Sequence, residues 1–426
     1  MTETPKPTVE LMRTLDEKFI TDPLVFETMR PSGGIVTSGD GFLLPDGTLD
    51  RDAVRGLVAR AVALFPASRL RLRSMPLGLT TPAWVAAEPD LDYHVRFRDT
   101  VAPDEVAALL GGAFNGELSL DRPLWTILAA PLPDGDVAIV LQLHHALGDG
   151  LFGLRFIDAL TANDPYDVRE VVVAEAQSSP RTAFGIWRVA FRDWRAAFPG
   201  VRAGWREYSR KSFTRRLRRT GGRLLRSRRF ARGASVPPRR HALVFLEYPQ
   251  VKLAARDAGC SVHDLFVTAS LEAVAGLDAP FAATALLVPI SRRAGAGGDE
   301  RNHISMIRVE LPSDTHGRPT DSVAAQVAAG VAGAASGPPP RGGVPGYTSF
   351  LPWRPRQRFS GTAVVRSVTL WPVLEPHERL GIFGSMHNGV FSIAVVSSDE
   401  LDAAALADAT RGRLLAERAA MTEAVA

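Results

Sequence analysis

The stretch that decides the fold is His144-His145-Ala146-Leu147-Gly148-Asp149-Gly150 (HHALGDG). It follows Val137–Leu143, an apolar run of strand length, and it precedes Leu151–Leu160, in which apolar residues recur at helical spacing. The motif is therefore expected at a strand-to-helix junction. A histidine at such a junction can project into a cleft, and its titration range suits base chemistry near neutral pH.

The sequence around the motif mixes strand and helix signals. Trp125–Leu132 and Val137–Leu143 predict a β-hairpin, because an Asp-Gly turn separates the two apolar runs. Asp50 is a predicted N-cap for a helix over Arg51–Phe65. The second half predicts helices over Ser261–Gly276 and Asp402–Ala420, and strands over Thr284–Ile290, Ile304–Leu311, Thr362–Leu370 and Gly389–Val396. This mixture indicates an α+β fold.

The paired histidines favour a catalytic base over a metal site. Adjacent residues at a strand end point in opposite directions, and the chain has nine histidines and one cysteine to supply further ligands. The cysteine, Cys260, is expected to be a small core residue and not a nucleophile. Asp149 could orient the histidine loop or pair with a cation, and Gly150 would permit a tight turn or a close backbone approach.

Length and composition set the broad class of the protein. A chain of 426 residues is long for one core, so two lobes are expected. Hydrophobic residues make up 46% and charged residues 23%, which excludes wholesale disorder and coiled-coil fibres. We find neither an apolar run of the roughly 18 to 20 residues that a membrane span needs nor a secretory signal. The expected location is the cytoplasm, with peripheral attachment to the inner membrane face or to lipid bodies as an alternative.

One strongly basic segment divides the chain. Arg181–Arg240 contains 19 Lys and Arg residues and two acidic residues, a net charge of +17, which leaves −13 for the rest of a chain whose total is +4. Its first part predicts an amphipathic helix with an aromatic stripe, formed by Trp187, Phe191, Trp194, Phe198, Val201, Trp205 and Tyr208. The segment could dock on anionic lipid or serve as a crossover connector, with nucleic acid as a weaker alternative. The predicted division is a first lobe over 1–165, a basic linker over 166–240 and a second lobe over 241–426.

HHALGDG resembles the His-His-x-x-x-Asp-Gly motif of the condensation-domain acyltransferase superfamily. The surrounding sequence is most similar to its wax ester synthase/diacylglycerol acyltransferase branch. That similarity rests on Leu91–Arg96 (LDYHVR), Pro123–Trp125 (PLW), Val288–Arg293 (VPISRR) and Asn302–Ser305 (NHIS). The resemblance runs in order over most of the chain. It implies two chloramphenicol-acetyltransferase-like lobes in a V-shaped pseudodimer, with a tunnel between them.

The resemblance also implies roles for individual residues. His145 would be the general base, supported by His144, Gly150 and a structural Asp149 that pairs with Arg293, or with Arg292 in an adjacent register. Candidates for shaping the tunnel or stabilising an oxyanion are Asn302, Ser305 and Trp125, the last expected mainly as a core anchor. The sequence departs from the family at His263-Asp264, where the family has Asn-Asp. It departs again at Thr348–Trp353, a stretch that bears on the choice of acceptor.

The implied activity is transfer of an acyl group from acyl-CoA to a hydroxyl acceptor such as a fatty alcohol or diacylglycerol. No cofactor or metal is implied, since the thioester is a co-substrate. Two alternatives stay open. One is a stand-alone condensation enzyme that takes its acyl group from a carrier protein and forms an ester or amide. The other is a catalytically silent binding protein on the same fold. Expected partners are the thioester donor, the acceptor, an anionic membrane surface at Arg181–Arg240 and a carrier protein.

Overall fold

A computed structural model describes residues 10–12, 16–73, 81–165, 185, 188, 236–292, 301–313, 318–333, 344–354 and 356–425. The aromatic stripe and almost all of the basic segment Arg181–Arg240 lie outside these ranges. The predicted partner Arg293 and most of the Pro/Gly-rich stretch 336–346 also lie outside them.

The first half of the chain supplies most of one sheet and the helices that cover it. Its described helices are α1 (Lys18–Thr21), α2 (Pro23–Thr28), α3 (Arg51–Leu64), α4 (Leu91–His94), α5 (Val106–Leu110) and α6 (Gly150–Leu160). Its strands are β1 (Glu10–Leu11), β2 (Ser32–Thr37), β3 (Leu70–Arg73), β4 (Ala83–Ala86), β5 (Val95–Phe97), β6 (Trp125–Pro131) and β7 (Val137–Leu143).

The second half supplies a second large sheet. Its strands are β8 (Arg239–Glu247), β9 (Ala285–Ser291), β10 (Ile304–Glu310), β11 (Gly346–Arg354), β12 (Phe359–Ser360), β13 (Ala363–Trp371), β14 (Leu380–His387) and β15 (Val390–Ser398). Its described helices are α7 (Tyr248–Asp257), α8 (Val262–Ala275), α9 (Pro319–Ala332) and α10 (Ala403–Val425).

Two six-stranded sheets form the framework. The first has the order β12-β13-β2-β7-β6-β5, and its pairs are antiparallel except for β5 with β6. The second has the order β10-β9-β11-β14-β15-β8, in which β11 lies parallel to both β9 and β14. A small sheet, β1-β4-β3, lies outside both. The predicted hairpin is present as β6 and β7, joined through Pro131–Val137.

Each sheet is covered on one face by helices, and a third cluster lies between the sheets. Phe156 and Ile157 of α6 belong to the core of the first sheet, whereas Phe266 of α8 belongs to the core of the second. The third cluster joins residues of the first sheet, such as Val140, to residues of the second sheet, such as Ala394. The two halves therefore share buried apolar surface.

The chain order does not follow the division into lobes. Strands β12 and β13 carry residues 359–371 from the second half into the first sheet, where β13 pairs with β2. The expectation that 241–426 forms the second lobe by itself needs correction at these residues. The physical reason is that hydrophobic patterning identifies a strand without identifying its partner. The other predicted domain limits stay predictions.

Candidate functional site

The HHALGDG sequence forms the connection between β7 and α6, which we call the motif loop (His144–Gly150). β7 is buried along its whole length, so the loop begins inside the protein. Asp149 is the N-cap of α6, and its Oδ1 accepts a hydrogen bond from the backbone N–H of Phe152 at 3.0 Å. The loop is thereby fixed at both ends by regular structure.

His144 is held in one neutral tautomer. Its Nδ1 accepts a hydrogen bond from the backbone N–H of Ala146 at 3.1 Å, so the proton must lie on Nε2. Nε2 then donates to the carbonyl oxygen of Phe26 at 3.1 Å. Burial, together with the nearby charge of Arg30, lowers the pKa of His144 to about 3. Both ring nitrogens are occupied, which is the environment of a structural histidine.

His145 has a different environment. The residue is 9% exposed, and its ring stacks on Phe19 with 4.7 Å between ring centroids and 21° between planes. Within the described residues, its buried Nδ1 makes no hydrogen bond of good geometry. Burial lowers the pKa of His145, while its own carbonyl oxygen and the charge of Asp149 act in the opposite direction. At neutral pH the ring is therefore uncharged and able to accept a proton.

A three-residue segment of the second half, Arg301-Asn302-His303 (the 301–303 segment), binds the motif loop. The N–H of Asp149 donates to the carbonyl oxygen of Arg301 at 2.9 Å, and the N–H of His303 donates to Asp149 Oδ2 at 3.0 Å. Asn302 Nδ2 donates to the carbonyl oxygen of His145 at 2.8 Å. The backbone that carries His145 is thus fixed from the second half of the chain.

The side chain of Arg301 adds further contacts to the same loop. Its Nη1 donates to the carbonyl oxygen of Leu147 at 3.2 Å. Its guanidinium lies 4.5 Å from the ring centroid of Trp84 and 5.4 Å from that of Phe152. It also forms two bonds to the Glu10 carboxylate, at 2.6 and 3.0 Å. Sequence reasoning missed Arg301, although it stands directly before the Asn302 that the family pattern identified.

Of the two predicted arginine partners of Asp149, the described residues include only Arg292. Arg293 lies outside the described residues, so the pair of Asp149 with Arg293 stays a prediction. The alternative, Arg292, donates elsewhere: its Nε bonds Ser305 Oγ at 3.1 Å, and its other nitrogens bond the carbonyl oxygens of Val331 and Gly333. The Ser305 hydroxyl is thus engaged with Arg292, as the Asn302 amide is with His145.

Trp125, the third tunnel candidate, lies in the core of the first sheet. It is fully buried, and its Nε1 donates to the carbonyl oxygen of Ser68 at 2.9 Å. His94 stacks on it at 4.3 Å and bonds its carbonyl oxygen through Nδ1 at 2.7 Å. This environment is that of a core anchor.

The close approach expected at Gly150 occurs instead at Gly148. A Cβ built on Gly148 would lie between 2.1 and 2.7 Å from three carbons of the Phe152 side chain. A Cβ built on Gly150 would have no heavy atom within 4 Å, and Gly150 is exposed at the start of α6. The physical reason is that Phe152, one turn into the helix, packs back over the loop.

We therefore expect two alanine substitutions in the motif loop to differ clearly in their effect on stability. Gly148→Ala should destabilise the protein by about 1 to 3 kcal/mol, because Phe152 cannot keep its position. Gly150→Ala should change stability by less than about 0.5 kcal/mol, because the added methyl group meets open space. Thermal unfolding of the two variants measures the difference. Equal melting temperatures would contradict the packing described for Phe152.

Among the described residues, we find no group of three or more His, Cys, Asp or Glu side chains arranged to hold a metal ion. In the same part of the chain, no helix combines the length and the apolar character needed to cross a membrane.

Several known proteins of similar sequence are named as diacylglycerol O-acyltransferases. Residues 40–266 match the model of the wax ester synthase/diacylglycerol acyltransferase catalytic domain. A putative diacylglycerol O-acyltransferase of Mycobacterium tuberculosis is 41% identical over 122 residues, which are 28% of this chain and 26% of that protein. One from Mycobacterium bovis is 37% identical over 83 residues, 18% of this chain and 16% of that protein. The matches thus span about a quarter or less of these relatives' length.

Two solved structures share the fold. The wax ester synthase/diacylglycerol acyltransferase from Marinobacter aquaeolei VT8 superposes with a TM-score of 0.57 at 16% identity, covering 96% of this chain and 98% of that one. The first condensation domain of the CDA synthetase gives the same TM-score and identity, covering 97% and 95%. The prediction of an α+β, two-lobed fold of this kind is confirmed. Because the matching family model spans more than half of the 426 residues, the chain belongs to the wax ester synthase/diacylglycerol acyltransferase family.

Proposed function

We propose that the protein is an O-acyltransferase that moves an acyl group from acyl-CoA to a hydroxyl acceptor, with His145 as general base. The observation that carries the proposal is the contrast between the two histidines. His144 uses both ring nitrogens in hydrogen bonds, whereas His145 is buried, uncharged at neutral pH and fixed through its backbone by Asn302. A base must be held in place while its proton-accepting nitrogen stays available.

In the proposed reaction the acceptor hydroxyl attacks the thioester carbonyl carbon. His145 removes the hydroxyl proton as the new C–O bond forms. The C–S bond then breaks, and the proton passes from His145 to the thiolate, which leaves as free CoA thiol. Atoms and charge balance without a covalent enzyme intermediate, a metal or a redox cofactor, so acyl-CoA acts as a co-substrate. One residue serves as base and then as acid, which requires a pKa below the working pH but not far from it.

Asp149 of the motif loop and the 301–303 segment act by positioning His145. Asp149 bonds the N–H groups of Phe152 and His303, so it links the start of α6 to the second half of the chain. Asn302 and Arg301 bond two carbonyl oxygens of the same loop. These bonds hold the backbone of the base in one position.

A fatty alcohol or diacylglycerol is the acceptor class that we propose. The names of the relatives support this class, and so do apolar side chains of the core cluster to which the motif loop also contributes. Phe19 and Ile20 of α1 pack in or against the first core, and Leu351 and Trp353 of β11 do so from the second sheet. The stretch Thr348–Trp353, which departs from the family pattern, forms most of β11 and not a loop, so its alternate side chains face the junction of the two halves.

The test is thiol release from a long-chain acyl-CoA, measured with and without a long-chain alcohol or a diacylglycerol. Release that depends on the alcohol, with formation of the ester, would support the proposal. Hydrolysis that ignores the alcohol would contradict it. Release only from an acyl group on a carrier protein would favour the alternative of a stand-alone condensation enzyme. Thioester binding without release from either donor would favour a silent binding protein.

We further propose that the basic segment brings the enzyme to anionic membrane surfaces. The support is its charge of +17 over Arg181–Arg240, since each basic residue near such a surface adds about 1 kcal/mol of attraction. Changing Arg215, Arg216, Arg218 and Arg219 to Gln should weaken sedimentation with phosphatidylserine-containing vesicles at low salt. A matched control changes four half-exposed arginines that lie outside the basic segment, Arg51, Arg366, Arg379 and Arg411. Equal loss in both variants would indicate that net charge alone, and not this segment, causes binding.

A further inference from the structure

Two short helices cover the two histidines of the motif loop. Phe19 of α1 stacks on His145, and Phe26 of α2 lies over His144 with 4.5 Å between ring centroids. Phe19 is only 7% exposed although α1 has four residues and lies near the start of the described chain. The backbone following α2 continues the contact, because the N–H of His145 donates to the carbonyl oxygen of Met29 at 2.9 Å.

The Phe19 ring affects His145 through contact and desolvation, because it can neither donate nor accept a proton. The two planes differ by 21°, so the phenyl ring covers one face of the imidazole. A covered face restricts the ring to one orientation and keeps water away from it. Loss of water disfavours the charged imidazolium.

A cation lies over the same phenyl ring and ties it to the second half. Lys18 Nζ is 4.7 Å from the Phe19 centroid and 3.1 Å from Oε1 of Glu375. Glu375 is in the connection from β13 to β14, and its backbone is fixed by bonds to Arg239 and Glu378. The ion pair therefore joins α1 to a fixed part of the protein.

We propose that Phe19 is a positioning residue for the general base, and that the ion pair of Lys18 with Glu375 holds it against His145. The consequence of this arrangement for catalysis rests on the proposed function, whereas the effect of Phe19 on the His145 ring does not. Phe19 sets the plane of the imidazole and excludes water from one face. Lys18 adds a positive charge on the same side.

The charged and titratable groups around His145 come from several elements. Lys18 of α1 disfavours the protonated ring, Asp149 at the start of α6 favours it, and burial is the largest influence, lowering the pKa of His145. His144 is the adjacent ring, and burial lowers its pKa to about 3. Asn302, from the 301–303 segment, favours the protonated form. Removing the Phe19 ring relieves burial, so it should raise the pKa of His145 toward the ordinary histidine value.

The test titrates His145 in the full chain without any substrate. Diethyl pyrocarbonate modifies neutral imidazole, and peptide mass spectrometry reads the extent of modification at His145 as a function of pH. Phe19→Ala should move the midpoint to higher pH and raise the rate at the alkaline plateau severalfold. Phe19→Leu should give a smaller change in the same direction, since it keeps apolar volume but loses the flat ring. It also keeps the test valid if the alanine variant fails to fold.

The matched control is Phe26→Leu, the same exchange against the neighbouring histidine. It should leave the titration midpoint of His145 where it is in the wild type. An unchanged or lower midpoint in both Phe19 variants would overturn the proposal. So would an equal rise in the Phe26 variant, because the effect would then be general loosening.

Glu375→Gln tests the part played by the ion pair, because two explanations predict opposite signs. If the pair holds Phe19 in place, the variant should raise the midpoint of His145, as Phe19→Leu does. If Glu375 only neutralises Lys18, the unpaired cation should lower the midpoint, and that result would overturn the holding role. Because the titration uses no substrate, it also separates this proposal from the proposed function. If the variants show these shifts but the wild type transfers no acyl group, only the proposed activity is rejected.

Discussion

Replacing His145 with alanine should reduce acyl transfer by about two to four orders of magnitude, the usual contribution of a general base. Without His145 the acceptor hydroxyl must lose its proton to water, and the leaving thiolate has no positioned acid. The fold should persist, because the His145 ring makes no well-formed hydrogen bond through its buried Nδ1 to any described residue. The measurement is ester formation under single-turnover conditions, beside circular dichroism of the same sample.

His144→Ala is the matched control for that experiment. The His144 ring bonds the N–H of Ala146 and the carbonyl oxygen of Phe26, so its loss leaves two buried backbone groups unsatisfied, at about 1 to 3 kcal/mol each. We expect His144→Ala to lower the melting temperature more than His145→Ala does. Near wild-type turnover in folded His145→Ala would rule out the mechanism proposed above.

Asp149→Ala should lower both stability and rate. It removes the N-cap of α6, worth about 1 kcal/mol, and it leaves the N–H of His303 without its acceptor, at a further cost of about 1 to 3 kcal/mol. The rate should fall as well, since the bond to His303 joins the loop of His145 to the second half. Asp149→Asn should recover only part of the loss, because both bonds come from N–H donors and an amide offers one oxygen.

Asp50→Ala provides the comparison for the cap alone. Asp50 caps α3 by accepting from the N–H groups of Asp52 and Ala53, and both of these bonds stay within one helix start. We expect a loss near 1 kcal/mol there, measured by thermal unfolding, and no effect on acyl transfer. Equal losses for Asp50→Ala and Asp149→Ala would show that the link to His303 contributes nothing.

The sequence predicted well those elements whose local pattern agrees with their burial. β7 coincides with the predicted Val137–Leu143, and α3 begins behind the predicted cap Asp50. The sequence pattern did not predict β2, because its Gly33 and Gly34 are poor strand formers. Those glycines are present because α6 and β13 pack so closely that a Cβ on Gly33 would lie 2.5 Å from Ile157, and one on Gly34 would lie 2.7 Å from Thr369. That requirement comes from tertiary structure and leaves no local signal.

The candidate site, too, could be predicted from the sequence only in part. HHALGDG identified the loop and its capping aspartate, because a strand, a tight connection and a helix start are neighbours in the sequence. The contacts that fix the loop come from Arg301, about 150 residues away, and from Phe19, about 125 residues away in the other direction. Neither Arg301 nor Phe19 belongs to a sequence pattern that would identify it as part of the site. Resemblance indicated Asn302, but only the structure shows that its amide bonds the backbone of His145.

The pairing of β13 with β2 has a consequence for how the chain is made. β2 (residues 32–37) can pair with β13 only after residues 365–371 have been synthesised. The first sheet therefore stays open along one edge until most of the chain has left the ribosome. Contacts this distant in sequence slow folding, and an open apolar strand edge invites association with other chains. A truncated product that ends before residue 359 should therefore collect in aggregates. Adding the missing part as a separate polypeptide during synthesis should restore soluble protein.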